Sequence, residues 1–334
     1  MKKLENVRIS ELVTMRIGGV ARYVIEIFDK TELKEAYNFV KEQNLPYFFL
    51  GGGANTFAKD DGYNGVIIIN KITGITELED GLFEANGGEI WDNLVNYTAE
   101  KGYTGIEAMA KIPGTVGAAP VQNIGAYGQD ASQTIVSAEV FDFKTGEQKT
   151  IEKSEMDLGY RHSIFNSGED KGRFFIISVK FQLKKGEIEG ELYNSLQRYM
   201  DEHNETDRSP KNIARMVAAI RAEKLPDPET TASSGSFFKN VYVREEDIEK
   251  LDEKNIPHHG TKVNTGWLIE NAGLKGKTFH GMKVSDKAAL VLINESATSY
   301  EDLKQAREEI SDAVYEKFGF KLEQEPVEIG EEHD

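Results

Sequence analysis

The sequence predicts a protein of mixed α/β class with more than one domain. Its 334 residues exceed the size at which a single hydrophobic core stops growing. Between Ala21 and Asn70, strand, helix, strand and strand patterns follow one another, which is typical of an α/β unit. From about Asp80 to Leu183, short strands and glycine-rich turns replace that alternation. These two patterns predict two successive sheet-containing domains.

A third domain is predicted after a polar, acidic segment that ends at Pro210. We interpret that segment, 186–210, as a helical arm or a crossing segment, and Ser209-Pro210 as the start of a new helix. Two further helical patterns flank a buried-strand pattern at 288–294. The chain then runs into an acidic tail, and composition favours a solvated terminus for it.

Composition excludes several kinds of chemistry. The chain has no cysteine, which removes disulfides, thiolate nucleophiles and iron–sulfur clusters. Its histidines form no HExxH motif, so no metal site is predicted. A formal charge of −17 disfavours nucleic acid and membranes as partners, because both are anionic. Without an apolar run of about 18 residues, the protein is predicted to be cytoplasmic.

The strongest local motif is LGGGAN at 50–55, directly after an apolar strand pattern. Consecutive glycines allow positive φ and bring backbone N–H groups close to a phosphate. The same residues also suit an ordinary glycine-rich turn, and the motif alone does not decide between the two. It is neither a GxGxxG fingerprint nor a P-loop, because no helix-opening pattern follows it.

A second loop, 112–128, is rich in glycine and alanine and cannot build a core of its own. Gln122 and Asn123 add amide groups that suit a ring edge or a pyrophosphate. Together the two small-residue loops favour a large dinucleotide held between them. Neither loop contains histidine or cysteine, so a flavin there is expected to be bound without a covalent link.

Three polar motifs lie outside the glycine loops: GYRHSIF, KLPDP and GSFFKN. Taken alone, Arg161 of the first motif is most simply a surface charge. Ser236 of the third motif lacks a surrounding GxSxG pattern, so a serine hydrolase is not predicted.

The order of these motifs resembles the family of UDP-N-acetylenolpyruvoylglucosamine reductases, also called UDP-N-acetylmuramate dehydrogenases. The resemblance runs from Arg16 to Gly330 and is carried by LGGGAN, GIEAMAKIPGTVGAAPVQNIGAYG, GYRHSIF, KLPDP, GSFFKN, GWLIENAGLKG and ALVLINE. The YRHSIF form is similar to the YRxSxF subclass, which keeps a tyrosine-bearing loop over the substrate. MRIGGVA, at 15–21, is more like the other subclass, and Val241 stands where the family usually has proline.

The resemblance implies a fold and an activity. The fold is a two-part FAD-binding domain of the vanillyl-alcohol-oxidase superfamily, at 1–70 and 71–209 with 320–334 returning to it, plus a substrate-binding α/β domain at 210–319. The activity is NADPH-dependent reduction of UDP-N-acetylglucosamine enolpyruvate to UDP-N-acetylmuramate, through non-covalently bound FAD, in peptidoglycan synthesis. The implied protein is a monomer whose partner is the small UDP-sugar.

The resemblance also implies roles for single residues. Arg161 and Glu325 would flank the substrate carboxylate and the reacting carbons, and Ser236 would be the proton donor. In the tail motif LEQE, proline follows the second glutamate, where the family has it before, so Glu323 stays an alternative to Glu325. FAD contacts would be Gly51, Gly52, Gly53, Ala54, Asn55, Pro113, Gly114, Gly117, Ala118, Val121, Gln122, Asn123 and Gly125. Substrate contacts would be Tyr160, Tyr193, Arg221, Lys224, Lys239 and Asn240.

The implied reaction explains these residue types. Hydride addition to an enolpyruvyl ether leaves negative charge on the neighbouring carbon and its carboxylate, and a guanidinium fork stabilises such charge by about 3 to 4 kcal/mol. A serine hydroxyl then protonates the carbon, and a basic neighbour such as Lys239 is expected to assist it. Two alternatives stay open, a flavin oxidase of the same superfamily and a flavin-binding module without catalysis.

Overall fold

A computed structural model of the protein describes residues 1–330. Its α-helices are α1 (Leu33–Gln43), α2 (Trp91–Glu100), α3 (Asn194–His203), α4 (Pro210–Lys224), α5 (Ile248–Glu253), α6 (Thr265–Asn271) and α7 (Tyr300–Phe318). Across these residues, none of the helices combines the length and apolar character needed to cross a bilayer.

The strands fall into several small sheets rather than one large one. In chain order they are β1 (Lys2–Arg8), β2 (Val20–Ile27), β3 (Tyr47–Leu50), β4 (Thr56–Ala58), β5 (Tyr63–Asn70), β6 (Ile75–Glu77), β7 (Leu82–Asn86), β8 (Tyr103–Thr104), β9 (Gly125–Ala126), β10 (Gln129–Asp130), β11 (Ile135–Asp142), β12 (Glu147–Glu152), β13 (Phe174–Gln182), β14 (Lys184–Lys185), β15 (Ser233–Ser236), β16 (Val241–Tyr242), β17 (His258–His259), β18 (Lys262–Val263), β19 (Thr278–Phe279), β20 (Met282–Val284), β21 (Val291–Asn294) and β22 (Val327–Ile329).

Two compact units divide the chain. Unit 1 contains Met1–Asn6, Arg22–Gly52 and Asn64–Ala222, and unit 2 contains Val7–Ala21, Gly53–Tyr63 and Glu223–Asp334. The division passes through the first glycine motif, between Gly52 and Gly53. The partition at 1–70, 71–209 and 210–319 with a returning tail stays a prediction, and residues 331–334 of that tail lie outside the described residues.

Unit 1 is organised by two sheets. A four-stranded sheet has the order β1-β2-β5-β3, with β3 and β5 parallel, as the strand and helix patterns at its start predict. A five-stranded antiparallel sheet has the order β12-β11-β13-β7-β6. Strand β13 lies at its centre and is buried along most of its length, because Ile176 and Val179 pack in one hydrophobic core and Phe175 and Ile177 in another.

Helices α3 and α4 belong to unit 1 by their packing. The buried side of α3, at Leu196 and Met200, joins the same hydrophobic core as Ile213 and Val217 of α4. The segment of unit 1 that contains α3 and most of α4 ends at Ala222. Apolar residues repeating on one face of α4 bind this helix to the preceding core, and Pro210 marks only its first turn.

Unit 2 is built around α7 and the antiparallel sheet β15-β21-β20-β19. Helix α7 begins at a capping box between Ser299 and Asp302 and ends at Gly319, which has a positive φ of 80°. The expectation of a solvated tail is wrong up to Gly330, because β22 pairs in parallel with β4 and buries Glu328 and Ile329. Pairing with a distant strand is not visible in the composition of the tail.

An ion pair in unit 1 joins the half-buried Arg173 to the buried Asp142. Arg173 donates from Nη2 to Oδ2 of Asp142 at 2.6 Å and from Nε to Oδ1 at 2.9 Å. Burial alone would raise the pKa of Asp142, but hydrogen bonds from Arg173 and from the Lys144 N–H outweigh it and lower the pKa from 3.8 to about 2. The carboxylate is therefore charged in the folded protein throughout the physiological pH range.

We expect Arg173→Met to lower the free energy of unfolding by about 3 kcal/mol, because it leaves the Asp142 carboxylate buried without its partner. In the unsubstituted protein, the stability that depends on Asp142 is present above pH 3.8 and is lost as the pH falls to about 2. Urea unfolding measures the difference, with the exposed Arg198→Met as the control. A loss no larger than that of the control would contradict the assignment.

Candidate active site

The two glycine loops meet within unit 1. The first loop follows β3, and a Cβ added to Gly52 would lie 3.1 Å from the Cα of Gly114 in the second loop. A Cβ added to Gly51 would lie 2.8 Å from Oγ1 of Thr115. Side chains larger than hydrogen at these positions would force the loops apart, so the glycines are what allow this approach.

The meeting point of the loops suits a phosphate-bearing cofactor. Among residues 1–330, the Thr115 hydroxyl is one of a few buried side-chain groups without a hydrogen-bond partner, and it lies at Gly51. A buried polar group without a partner costs free energy, which a bound acceptor would recover. Sequence analysis missed Thr115, although it lies inside the glycine-rich loop. Gly87 was not predicted either. Its carbonyl accepts a hydrogen bond from the Gly117 N–H of the second loop at 2.8 Å, and a Cβ on Gly87 would lie 2.3 Å from the carbonyl oxygen of Ile176.

The first loop continues into unit 2 at Gly53. This residue has φ of 67°, and a Cβ there would lie 2.1 Å from the carbonyl oxygen of Leu12. Asn55 then connects the loop to the tail: its Nδ2 donates to the Glu325 carbonyl at 3.3 Å, and its own carbonyl accepts from the Val327 N–H at 2.9 Å. The predicted cofactor loop is therefore hydrogen-bonded to the segment that carries a predicted catalytic residue.

Two hydrogen bonds connect the second glycine loop to the GYRHSIF segment. The hydroxyl of the fully buried Ser163 donates to the Val121 carbonyl at 2.6 Å. Nδ2 of Asn123 donates to the Gly159 carbonyl at 3.1 Å, and its Oδ1 accepts from the Ser132 N–H at 2.8 Å. Asn123, predicted as a cofactor contact, thus also has a structural role that its sequence position did not reveal.

Arg161 lies in a turn with a left-handed backbone, at φ of 54°. The turn is closed by a bond from the Gly159 N–H to the His162 carbonyl at 3.0 Å. Asn166 supports it, donating from Nδ2 to the Arg161 carbonyl at 3.1 Å and accepting at Oδ1 from the Ser163 N–H at 2.9 Å. Positive φ in a residue other than glycine costs about 1 kcal/mol or more, and the hydrogen bonds of this turn hold Arg161 in that conformation.

Tyr193 and Arg221, both predicted substrate contacts, are connected through Tyr127. The rings of Tyr127 and Tyr193 meet edge to face with centroids 5.9 Å apart. The guanidinium of Arg221 hydrogen-bonds to the Tyr127 side chain, and its Nε donates to the Lys111 carbonyl at 3.2 Å. Burial raises the pKa of Tyr127 and lowers that of Arg221. Sequence analysis missed Tyr127, an aromatic residue within the glycine loop.

In unit 2, the tail runs antiparallel to the segment that carries Ser236. The Glu325 N–H donates to the Phe237 carbonyl at 2.8 Å, and the Lys239 N–H donates to the Glu323 carbonyl at 2.8 Å. Ser236 and Glu325 are half-buried, whereas the Glu323 side chain is 78% exposed and pairs with Lys239 at 3.2 Å. The pairing therefore places Glu325 beside the residue that follows Ser236.

Asn240 and Val241 are bound to the start of α6. Oδ1 of Asn240 accepts from the Thr265 N–H at 3.2 Å, and the Val241 N–H donates to Oγ1 of Thr265 at 3.0 Å. Proline, which the family usually has at this position, has no N–H and could not donate to Thr265. Val241 therefore makes a backbone hydrogen bond that the usual residue cannot make.

The remaining predicted residues are accessible to different degrees. Ala54, Gln122 and Gly125 are half-buried, and Pro113, Tyr160 and Lys224 are exposed. Of the predicted catalytic residues, Arg161 lies in unit 1, and Ser236 and Glu325 lie in unit 2.

Two family profiles, several relatives and one crystal structure resemble this chain. The FAD binding domain profile matches residues 21–152, and the profile of the UDP-N-acetylenolpyruvoylglucosamine reductase C-terminal domain matches residues 227–329. The reductase of that name from Bdellovibrio bacteriovorus is 34% identical over 94% of this chain and 96% of its own length. The one from Neisseria gonorrhoeae is 36% identical over 94% and 93%. The crystal structure of the Thermus caldophilus reductase shares the fold, with a TM-score of 0.66 at 22% identity over 98% of each chain.

An FAD-binding domain followed by a reductase C-terminal domain defines an FAD-dependent oxidoreductase, and the predicted mixed α/β class is confirmed. Both glycine loops, 50–55 and 112–128, lie within the matched FAD-binding segment. The chain belongs to the UDP-N-acetylenolpyruvoylglucosamine reductase family.

Proposed function

We infer that the chain reduces UDP-N-acetylglucosamine enolpyruvate to UDP-N-acetylmuramate, with NADPH as the hydride donor, in peptidoglycan synthesis. Full-length similarity to reductases of this name carries the inference. FAD bound at the glycine loops would supply the hydride-transfer chemistry between NADPH and the enolpyruvyl group. The glycine loops around Gly52 and Gly114, with the unpartnered Thr115 hydroxyl beside them, are suited to hold its phosphates.

Arg161 is proposed to bind the substrate carboxylate. Its guanidinium can donate two parallel hydrogen bonds to a carboxylate and stabilise the charge that grows there as hydride arrives. The left-handed turn and the support from Asn166 fit this role, because they restrict where the side chain starts. Lysine at this position would lack the fork.

Ser236 is proposed to donate the proton to the carbon next to the carboxylate, and Glu325 to act at the same centre. Both are half-buried, and the Glu325 backbone is bonded to the residue after Ser236. Lys239, expected to assist Ser236, forms an ion pair with Glu323. Its assistance to Ser236 would therefore require that exposed pair to open.

The UDP portion is proposed to contact Tyr160, Tyr193, Arg221, Lys224, Lys239 and Asn240. Cationic side chains among these counter a formal charge of −17 that would otherwise repel two anionic ligands. Membership of the YRxSxF subclass, a cytoplasmic location and a monomeric state complete the proposal.

The purified protein is expected to be yellow and to release intact FAD on acid or heat denaturation, because neither glycine loop contains histidine or cysteine. The visible flavin band should bleach with NADPH and return on addition of the enolpyruvyl sugar under anaerobic conditions. Bleaching without return would favour a flavin-binding module or an oxidase. Flavin that stays with the precipitated chain would contradict non-covalent binding.

Separate substitution of the two tail glutamates tests the register. We expect Glu325→Gln to abolish most of the activity and Glu323→Gln to leave it largely intact, because Glu323 is exposed and paired while Glu325 is half-buried and held by its backbone. Truncation after Gly319 should remove substrate reduction together with the pairing of β22 and β4. Steady-state turnover of each variant measures the effect. Loss of activity in Glu323→Gln alone would move the assignment by two residues.

A further inference from the structure

We propose that Gln324 and Arg307 form a side-chain clamp that fixes the backbone around Glu325, and that both are positioning residues for the reduction of the substrate. The inference rests on the proposed role of Glu325 at the reacting carbons. It adds two residues that were given no role above: Gln324, which lies within the tail motif LEQE, and Arg307, which lies outside the motifs.

The side chain of Gln324 closes over Glu325. Its Oε1 accepts a hydrogen bond from Nη1 of Arg307, which lies on α7. Its Nε2 donates to the carbonyl oxygen of Pro326 at 3.0 Å. One amide therefore connects helix α7 to the peptide group that follows Pro326. Because both ends of the amide are engaged, one of them by a charged donor, its rotamer is restricted.

The clamp completes a set of bonds around one residue. The Glu325 N–H donates to the Phe237 carbonyl at 2.8 Å, and its carbonyl accepts from Nδ2 of Asn55 at 3.3 Å. These two bonds hold the peptide groups on both sides of Glu325, and the bond from Gln324 to Pro326 holds the next peptide group along the chain. A backbone held this way fixes the position from which the Glu325 side chain extends, as precise placement of a catalytic carboxylate requires.

Arg307 is itself fixed by a second network. It hydrogen-bonds to the side chain of Tyr300, whose hydroxyl donates to Oε2 of Glu328 at 2.9 Å. The buried Glu328 also pairs with Lys59 at 3.0 Å. The Arg307 guanidinium is therefore connected through Tyr300 on α7 to Glu328 on β22, and through Glu328 to Lys59, the residue after β4. This rigidity lets it act on Gln324 as a fixed donor rather than as a mobile surface charge.

The test separates positioning from a general loss of structure. We expect Gln324→Ala to slow substrate-dependent reoxidation of the flavin by about 10-fold, while NADPH-dependent reduction and the substrate KM change by less than about twofold. Gln324→Pro should reoxidise the flavin faster than Gln324→Ala and recover most of the unsubstituted rate. Proline restricts the local backbone, and its missing N–H costs no bond here, because the two backbone bonds between the tail and the Ser236 segment use the N–H groups of Lys239 and Glu325. Gln305→Ala is the matched control, since Gln305 lies on α7 and bonds only to Glu301 among the partners described for its side chain in residues 1–330.

A double-mutant cycle with Glu325→Gln decides the mechanism. If the clamp acts through Glu325, adding Gln324→Ala to Glu325→Gln should cause no further slowing of reoxidation. A full 10-fold additional loss, or a Gln324→Ala variant as fast as the Gln305→Ala control, would overturn the clamp while leaving the proposed function intact. A Glu325→Gln enzyme with normal reoxidation would instead remove the proposed role of Glu325, and the clamp with it. Arg307→Gln should reproduce the Gln324→Ala result, and normal reoxidation in Arg307→Gln would contradict its part in the clamp.

Discussion

Ser236→Ala should slow reoxidation of the flavin by the enolpyruvyl sugar by at least about 10²-fold, which corresponds to roughly 2.7 kcal/mol of barrier. Reduction of the flavin by NADPH should stay near the unsubstituted rate, because that half-reaction needs no proton on the substrate carbon. Ser236 is half-buried in unit 2, next to the residue whose carbonyl accepts the Glu325 N–H. Stopped-flow measurement of the two half-reactions reports the asymmetry directly.

The opposing interpretation is that Ser236 only supports its segment. That role predicts equal slowing of both half-reactions together with lower thermal stability, and such a result would remove Ser236 from the catalytic residues. Ser296→Ala, an exposed serine in unit 2, controls for handling and assay differences. Arg161→Lys should show the same asymmetry as Ser236→Ala with weaker substrate binding added, since lysine cannot form the bidentate contact.

Gly53→Ala should yield protein that has lost most of its FAD. The glycine has φ of 67°, and an added Cβ would lie 2.1 Å from the carbonyl oxygen of Leu12, so the backbone must move. Movement there displaces the loop that continues through Asn55 to the tail. The ratio of visible flavin absorbance to protein absorbance measures retention, and titration of the apoprotein with FAD measures the remaining affinity.

Gly168→Ala is the matched control for this substitution. Gly168 has a nearly equal φ of 64°, but a Cβ there meets no other atom within 4 Å. Both variants therefore carry the strain of a left-handed alanine, about 1 kcal/mol, and only Gly53→Ala adds a collision with the backbone. Equal flavin content in the two variants would show that crowding at Gly53 does not matter for cofactor retention.

Much of the secondary structure could be predicted from the sequence, because local patterns determine it. The strand from Val20, the helix ending at Gln43 and the strand around Val179 follow from apolar periodicity. Helix α7 carries both of its signals in the sequence, the capping box at its start and Gly319 at its end. The pairing of β22 with β4 could not be predicted in this way, because it depends on which distant segments come together on folding.

In the candidate site, too, some residues were predicted from the sequence and others became visible only in the structure. Motif order predicted Arg161, Ser236 and Glu325, but the residues that hold them were missed, among them Asn166 and Gln324. Asparagine and glutamine are common in loops, and nothing in the surrounding sequence distinguishes a supporting amide from a solvated one. Only the partners of the side chain make the distinction.

By itself, the sequence determined the chemistry open to this protein: no thiol, two glycine-rich loops suited to a dinucleotide, and a motif order that resembles one reductase family. Tertiary structure alone decided that the Thr115 hydroxyl lies beside Gly51. It also decided that the Glu325 N–H bonds to the carbonyl of Phe237, the residue after Ser236. The bond from Asn55 to Glu325 joins residues 270 positions apart in the chain. Periodicity and motifs act over a few residues, whereas a hydrogen bond of this kind forms only after folding has brought distant segments together.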